Sequence, residues 1–160
     1  MSEETEELFA AVGRAISEWA FVESALARLF SLSVHSSHPS AAEAAFYSAT
    51  SFRTKLELLT SALAISSPNS THCWKALCRK LTKRSKKRNH LAHFHFLIRS
   101  DDKGCSVRLA PPMGNPSNEI EIFDDNHCYS VEDIETARSE FVRAKNEVDE
   151  FRQSLGNSKQ

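Results

Sequence analysis

Arg88, Asn89 and His93 stand within six residues of one another in the stretch KKRNHLAHFHF, residues 86–96. An imidazole titrates near neutral pH and so can take up or release a proton during a reaction. A guanidinium offers forked donors to negative charge that grows on an oxygen. Asn89 can hydrogen-bond either an oxygen of that anion or His93. The three types together suit proton transfer coupled to stabilisation of a developing anion. A metal site fits less well. His90 and His93 are three residues apart and could share an ion, but no H-E-x-x-H pattern and no third ligand accompany them. The chain also lacks a Gly-rich phosphate loop, a Ser-nucleophile motif and a dinucleotide fingerprint. No metal or cofactor is expected.

The element that must position these residues is a helix predicted over about 72–93. At roughly 100° per residue with Trp74 at zero, Leu77, Leu81 and Arg88 fall near 300°, 340° and 320°. Arg88 therefore lies on the apolar stripe, where a guanidinium needs an anion or several acceptors. Asn89 and His93 fall near roughly 60° and 100°, on one face. The small residues Ser85 and Ala92 lie between them and Arg88, which describes a shallow notch. His93, at the helix end, could instead meet the last carbonyls.

Just upstream, RKLTKRSKKR (79–88) holds seven Lys or Arg and no acid, in a chain of net charge −1. Arg79, Lys80, Lys83, Arg84, Lys86 and Lys87 form a local basic patch on a mildly acidic protein. They are either a solvated helix face or a surface for a polyanion.

Three further helices are expected. The first, about 4–34, repeats Leu8, Val12, Ile16, Trp19, Leu26 and Phe30 at helical steps. Glu23 falls on that stripe and needs a partner, either a structural ion pair with Arg53 or a contact that orients Arg88. A second helix starts at Pro39 and runs to about 65, with Phe52, Leu56, Leu59 and Leu63 facing inward. SSPNST breaks it. Residues 94–128 read as a small β meander, with FHFLIR and CSVRL around SDDKG and NEIEIF as a third strand. Ser130 and Asp133 then cap a last helix, about 130–155. The fold class is mainly α, an up-and-down bundle of about four helices with a β insertion, in one domain over 1–160.

Composition agrees with a globular chain: 41% apolar and 26% charged over 160 residues. MSEETEELFAAVG lacks the parts of a signal peptide, no apolar run could span a bilayer, and the four cysteines follow no C-x-x-C spacing. A reduced cytoplasmic protein with no membrane association is expected.

Arg88-Asn89-His90-Leu91-Ala92-His93 resembles the signature of HEPN domains, in which a polar residue follows arginine and histidine comes after four to six intervening residues. The helical layout is similar to that family over roughly residues 4–155, although the β insertion departs from its minimal core. The resemblance implies a metal-independent endoribonuclease with Arg88, Asn89 and His93 as its catalytic residues and RNA as its partner. It also implies a homodimer whose two motifs share a cleft, and it admits a toxin-type or defence role with an antitoxin or nucleotidyltransferase-type partner. The lysines and arginines of 79–87 would then hold a single-stranded backbone. The alternative is a non-catalytic HEPN-like module that binds nucleotide, RNA or a protein partner.

Overall fold

The computed structural model describes residues 2–101, 104–111 and 128–157. Helix α1, Glu3–Ser33, starts where the Thr5 amide donates to Ser2 Oγ at 3.3 Å. Glu3, Glu4 and Glu6 in its first turn face the positive end of the helix dipole. It ends in a Schellman motif, with the Ser36 amide donating to Ser31 O at 3.2 Å and the His35 amide to Leu32 O at 3.1 Å. His35 takes the left-handed position with φ 49°.

The helix expected over 39–65 is two helices. Helix α2, Pro39–Tyr47, stops at Ser48, and α3, Phe52–Ser66, begins afresh because Ser51 Oγ accepts from the Thr54 amide at 3.0 Å. Ser51-x-x-Thr54 is thus an internal cap, and it lets the chain reverse. A 3-10 turn at Pro68–Ser70 leads into α4, Thr71–His93. The hairpin β1, His95–Asp101, and β2, Gly104–Ala110, pairs antiparallel from His95↔Ala110 to Asp101↔Gly104. The strand expected at 118–123 lies outside the described residues. Helix α5, Val131–Asn157, closes the fold.

Side-chain pairs fix the helix directions. Trp19 meets Phe52 at 4.9 Å between ring centroids, and Glu23 meets Lys55, so α3 runs parallel to α1. Arg14 pairs with Glu135 and Arg28 with Asp149, so α5 does too. Arg84–Glu147 and Lys87–Glu140 set α4 antiparallel to α5. Helices α3, α4 and α5 therefore alternate in direction, and the described residues hold five α-helices.

One apolar cluster holds them together, and its largest side chains, Trp19, Trp74, Phe46 and Phe141, are all buried. Trp74, Leu77 and Leu81 face inward on α4, as their spacing predicts. On α1 the innermost positions are Leu8, Ala11, Ala15 and Trp19, with Val12 and Ile16 flanking them. Helix α1 packs most extensively on α5, which also buries alanines, Ala137 and Ala144.

The capping box at the start of α5 is complete. Asp133 Oδ2 accepts from the Ser130 amide at 2.8 Å, and Ser130 Oγ accepts from the Asp133 amide at 3.2 Å. Asp133→Ala removes the reciprocal half of this cap. Urea unfolding should show a loss of about 1 kcal/mol with an unchanged denaturant slope.

Candidate functional site

The site gathers around the Glu23 carboxylate of α1, where side chains from three helices meet. Within α1, Trp19 Nε1 donates to Glu23 Oε1 at 3.0 Å. From α3, Lys55 Nζ donates to Oε2 at 2.5 Å. From α4, Arg88 Nη2 donates to Oε1 at 3.2 Å, and its guanidinium carbon lies 5.8 Å from the Trp19 ring centroid. Lys55 also rests over Phe46 and Tyr47, at 5.8 and 5.3 Å from their ring centroids. The expected Glu23–Arg53 pair does not form. Arg53 is 88% exposed and pairs instead with Glu57, one turn along α3 at 2.8 Å. Lys55 is two positions on from Arg53, which turns a helix by roughly 200° and decides which of them faces α1.

Burial pushes the Glu23 carboxyl up, but the Lys55 hydrogen bond and charge, the Trp19 hydrogen bond and the Arg88 charge outweigh it. The carboxyl settles below its ordinary value. Two cations share one anion, so the cluster keeps a net positive charge. Arg88 Nε is buried without an acceptor, and among the described residues Glu23 is the only acceptor of the Arg88 guanidinium. Arg88 is thus oriented by the fold and keeps donors to spare.

Asn89 and His93 lie exposed on the following turns of α4, and neither side chain makes a hydrogen bond or ion pair among the described residues. His93 does not reach the last carbonyls of its helix. The histidine that the fold does engage is His90, which sequence reasoning placed only as a metal candidate. Its ring stacks on Phe94 at 4.7 Å, and its Nδ1 lies 3.0 Å from the Tyr129 hydroxyl. Desolvation holds His90 below the ordinary histidine value. Burial first, and then the charges of Asp133 and Glu140, push the Tyr129 phenol up. Both shifts favour the uncharged forms, a neutral imidazole and a neutral phenol sharing one hydrogen bond. Tyr129 is itself fixed by paired backbone bonds with Leu109 at 3.0 and 2.8 Å, so the hairpin braces the last turn of α4. Among the described residues, no group of three or more His, Cys, Asp and Glu side chains is arranged to hold a metal ion.

The basic run divides in two. Lys80 and Arg84 bind Glu147 at 3.1 and 2.5 Å, and Lys87 binds Glu140 at 2.8 Å. Those three cations, expected on a polyanion surface, are paired to α5, because Glu140 and Glu147 stand two turns apart on the face opposite them. Arg79, Lys83 and Lys86 form no ion pair among the described residues, and all three are exposed.

No protein-family model, no curated protein and no solved structure matches this chain. No helix among the described residues is long and apolar enough to cross a membrane.

Glu23→Gln breaks a cluster whose cations, Lys55 and Arg88, are only 11% and 26% exposed. The expected loss at neutral pH is about 3 kcal/mol, the lower end for breaking a buried pair. The folded-state carboxyl titrates below its ordinary 4.5, so its contribution is complete above that pH and is lost as pH falls through the folded value. Chemical unfolding across pH should show wild type losing more stability than Glu23→Gln as pH drops below 4.5.

Proposed function

We propose that this protein is a HEPN-like, metal-independent endoribonuclease that cuts single-stranded RNA through the ribose 2′-OH. What supports the reading is the state of the Arg88-Asn89-x-x-x-His93 motif at the end of α4. Arg88 is held against Trp19 and Glu23 with donors left over, while Asn89 and His93 stand free on the adjoining face. In this chemistry His93 takes the 2′-OH proton as the 2′-oxygen attacks the neighbouring phosphorus. Arg88 stabilises the charge that grows on the non-bridging oxygens. The bond from phosphorus to the 5′-oxygen breaks, and the leaving oxygen takes a proton. The products are a 2′,3′-cyclic phosphate and a 5′-OH end. The working unit is a homodimer, which places two imidazoles and two guanidiniums about one phosphate.

The dimer contact lies around Ser85 and Ala92, small residues of which Ala92 is exposed and Ser85 half-buried. A second reading, a HEPN-like module that binds RNA, nucleotide or a protein partner without cutting, is favoured by the same ion pair, because Glu23 already takes part of the Arg88 charge.

A mixed RNA pool incubated with the protein in excess EDTA separates the two. Cleavage is expected, and His93→Ala should lower it by at least about a hundredfold. Loss of cutting in EDTA, or full cutting by His93→Ala, overturns the nuclease reading. Ala92→Arg should convert the dimer to monomer in sedimentation and lower activity with it. A wild type that is monomeric while cutting at full rate overturns the shared cleft.

A further inference from the structure

Cys78, Thr82, Ser85, Asn89 and His93 follow one another along α4 at steps of four, three, four and four residues, so they share one face. The first three line a 220 Å³ apolar cavity whose opposite wall is Phe52, Leu56 and Thr60 of α3. A neighbouring 450 Å³ cavity shares Thr60, Cys78 and Thr82 with it and carries the groove on to Lys75 and Arg79. The groove therefore leads along α4 towards Asn89 and His93. Its near end adjoins Arg88 as well, because Phe52 packs on the Trp19 ring that Arg88 covers.

We infer that this α3–α4 groove is the track for the single-stranded RNA, taking one base into the apolar cavity and its phosphates along the Arg79–Lys86 edge. The inference rests on the nuclease reading, for which it supplies the path of the substrate. Three observations carry it.

The groove has no hydrogen-bonding code. The Thr60 hydroxyl donates to Leu56 O at 2.8 Å and accepts from Trp74 Nε1, while Thr82 donates to Cys78 O at 2.9 Å and Ser85 to Thr82 O at 2.8 Å. With its hydroxyls turned to the protein's own groups, the floor offers shape and apolar contact, which any base face can use. The cavity is also smaller than the roughly 300–1,000 Å³ of drug-sized ligand sites, and so suits a single ring.

Charge selects the occupant. Lys75, Arg79 and Lys86 lie between roughly 100° and 140° on α4, along the outer edge of this face. They are exposed and have no ion pair among the described residues, whereas the cations on the far side of the helix are bound by α5. The one acid of the lining, Glu57, is tied to Arg53. A polyanion with apolar rings matches that edge and floor. The 650 Å³ cavity between the start of α1 and β2 is lined instead by Glu3, Glu4, Glu6 and Glu7, which repel phosphate.

Cys78 makes the groove testable. Its thiol lines both cavities, while Cys73, on another face of the same helix, is exposed and serves as the control. Full-length His93→Ala protein is alkylated with N-ethylmaleimide, with and without a short single-stranded oligouridylate, and both sites are read by peptide mass spectrometry. The single strand should slow labelling of Cys78 about tenfold and leave Cys73 unchanged, and the same strand in a duplex should do neither. In otherwise wild-type protein, Cys78→Phe fills the cavity and should raise KM for RNA by about tenfold with kcat little changed, the order expected for one lost base contact. Arg79→Glu, which leaves the core untouched, should raise KM and flatten its salt dependence.

RNA cleavage with Cys78 unshielded and KM unmoved in both variants overturns the track and leaves the nuclease reading standing. Shielding of Cys78 by RNA that wild type never cuts keeps the track and removes the nuclease. Protection of Cys78 that rises with protein concentration and needs no RNA assigns the groove to a second copy, and overturns the proposal.

Discussion

The Glu23 carboxylate is the constraint on which the arrangement around the site depends. It accepts from a tryptophan on its own helix, a lysine on α3 and an arginine on α4. Each of these donors is largely withdrawn from water, and each would be costly to leave unpaired. One acid therefore fixes the relative placement of three helices at the level where Arg88 enters. The stoichiometry matters as much as the geometry. A one-to-one pair would have spent the arginine; a two-to-one cluster holds the guanidinium in place and leaves positive field over the groove between α3 and α4.

Helix α4 sorts its own charge by face. Three of its cations join α5 through Glu140 and Glu147, and those bonds fasten the bundle. Burial pushes the Glu147 carboxyl up, but Arg84 and Lys80 bring it below the ordinary range, as expected where the pairing is real. Lys75, Arg79 and Lys86, along another edge of the helix, are exposed and form no ion pair among the described residues. A run that reads as one basic block in sequence is thus two surfaces in space, one structural and one open.

Much of this was legible in the chain. The spacing of Trp74, Leu77 and Leu81 placed Arg88 on the inner side of α4 and Asn89 and His93 outside it. Ser130 and Asp133 announced the start of α5, and SDDKG announced the hairpin. Of the two partners expected for Glu23, Arg88 is met and Arg53 is not, and the spacing of α3 explains why. Lys55 stands three residues after Phe52 and four before Leu59, on the inward stripe of α3, whereas Arg53 is off it. Other contacts had no local signal. His90 and Tyr129 are 39 residues apart, and the match of Glu140 and Glu147 to α4 depends on a register set by the insertion between the helices. The break at 48–51 was hidden because the alanines before it favour a helix at every step; only the Ser51 cap betrays it.

The pair of backbone bonds between Leu109 and Tyr129 has a consequence for how the chain could change over evolutionary time. Those bonds staple together the two ends of the excursion that separates the hairpin from α5. The start of α5, and with it the Tyr129–His90 contact, is positioned by the staple and not by the length of what passes between. Lengthening a chain between two joined points costs little, about 0.6 kcal/mol for each doubling. Residues can therefore be gained or lost between Leu109 and Tyr129 while α4 and its motif stay where they are.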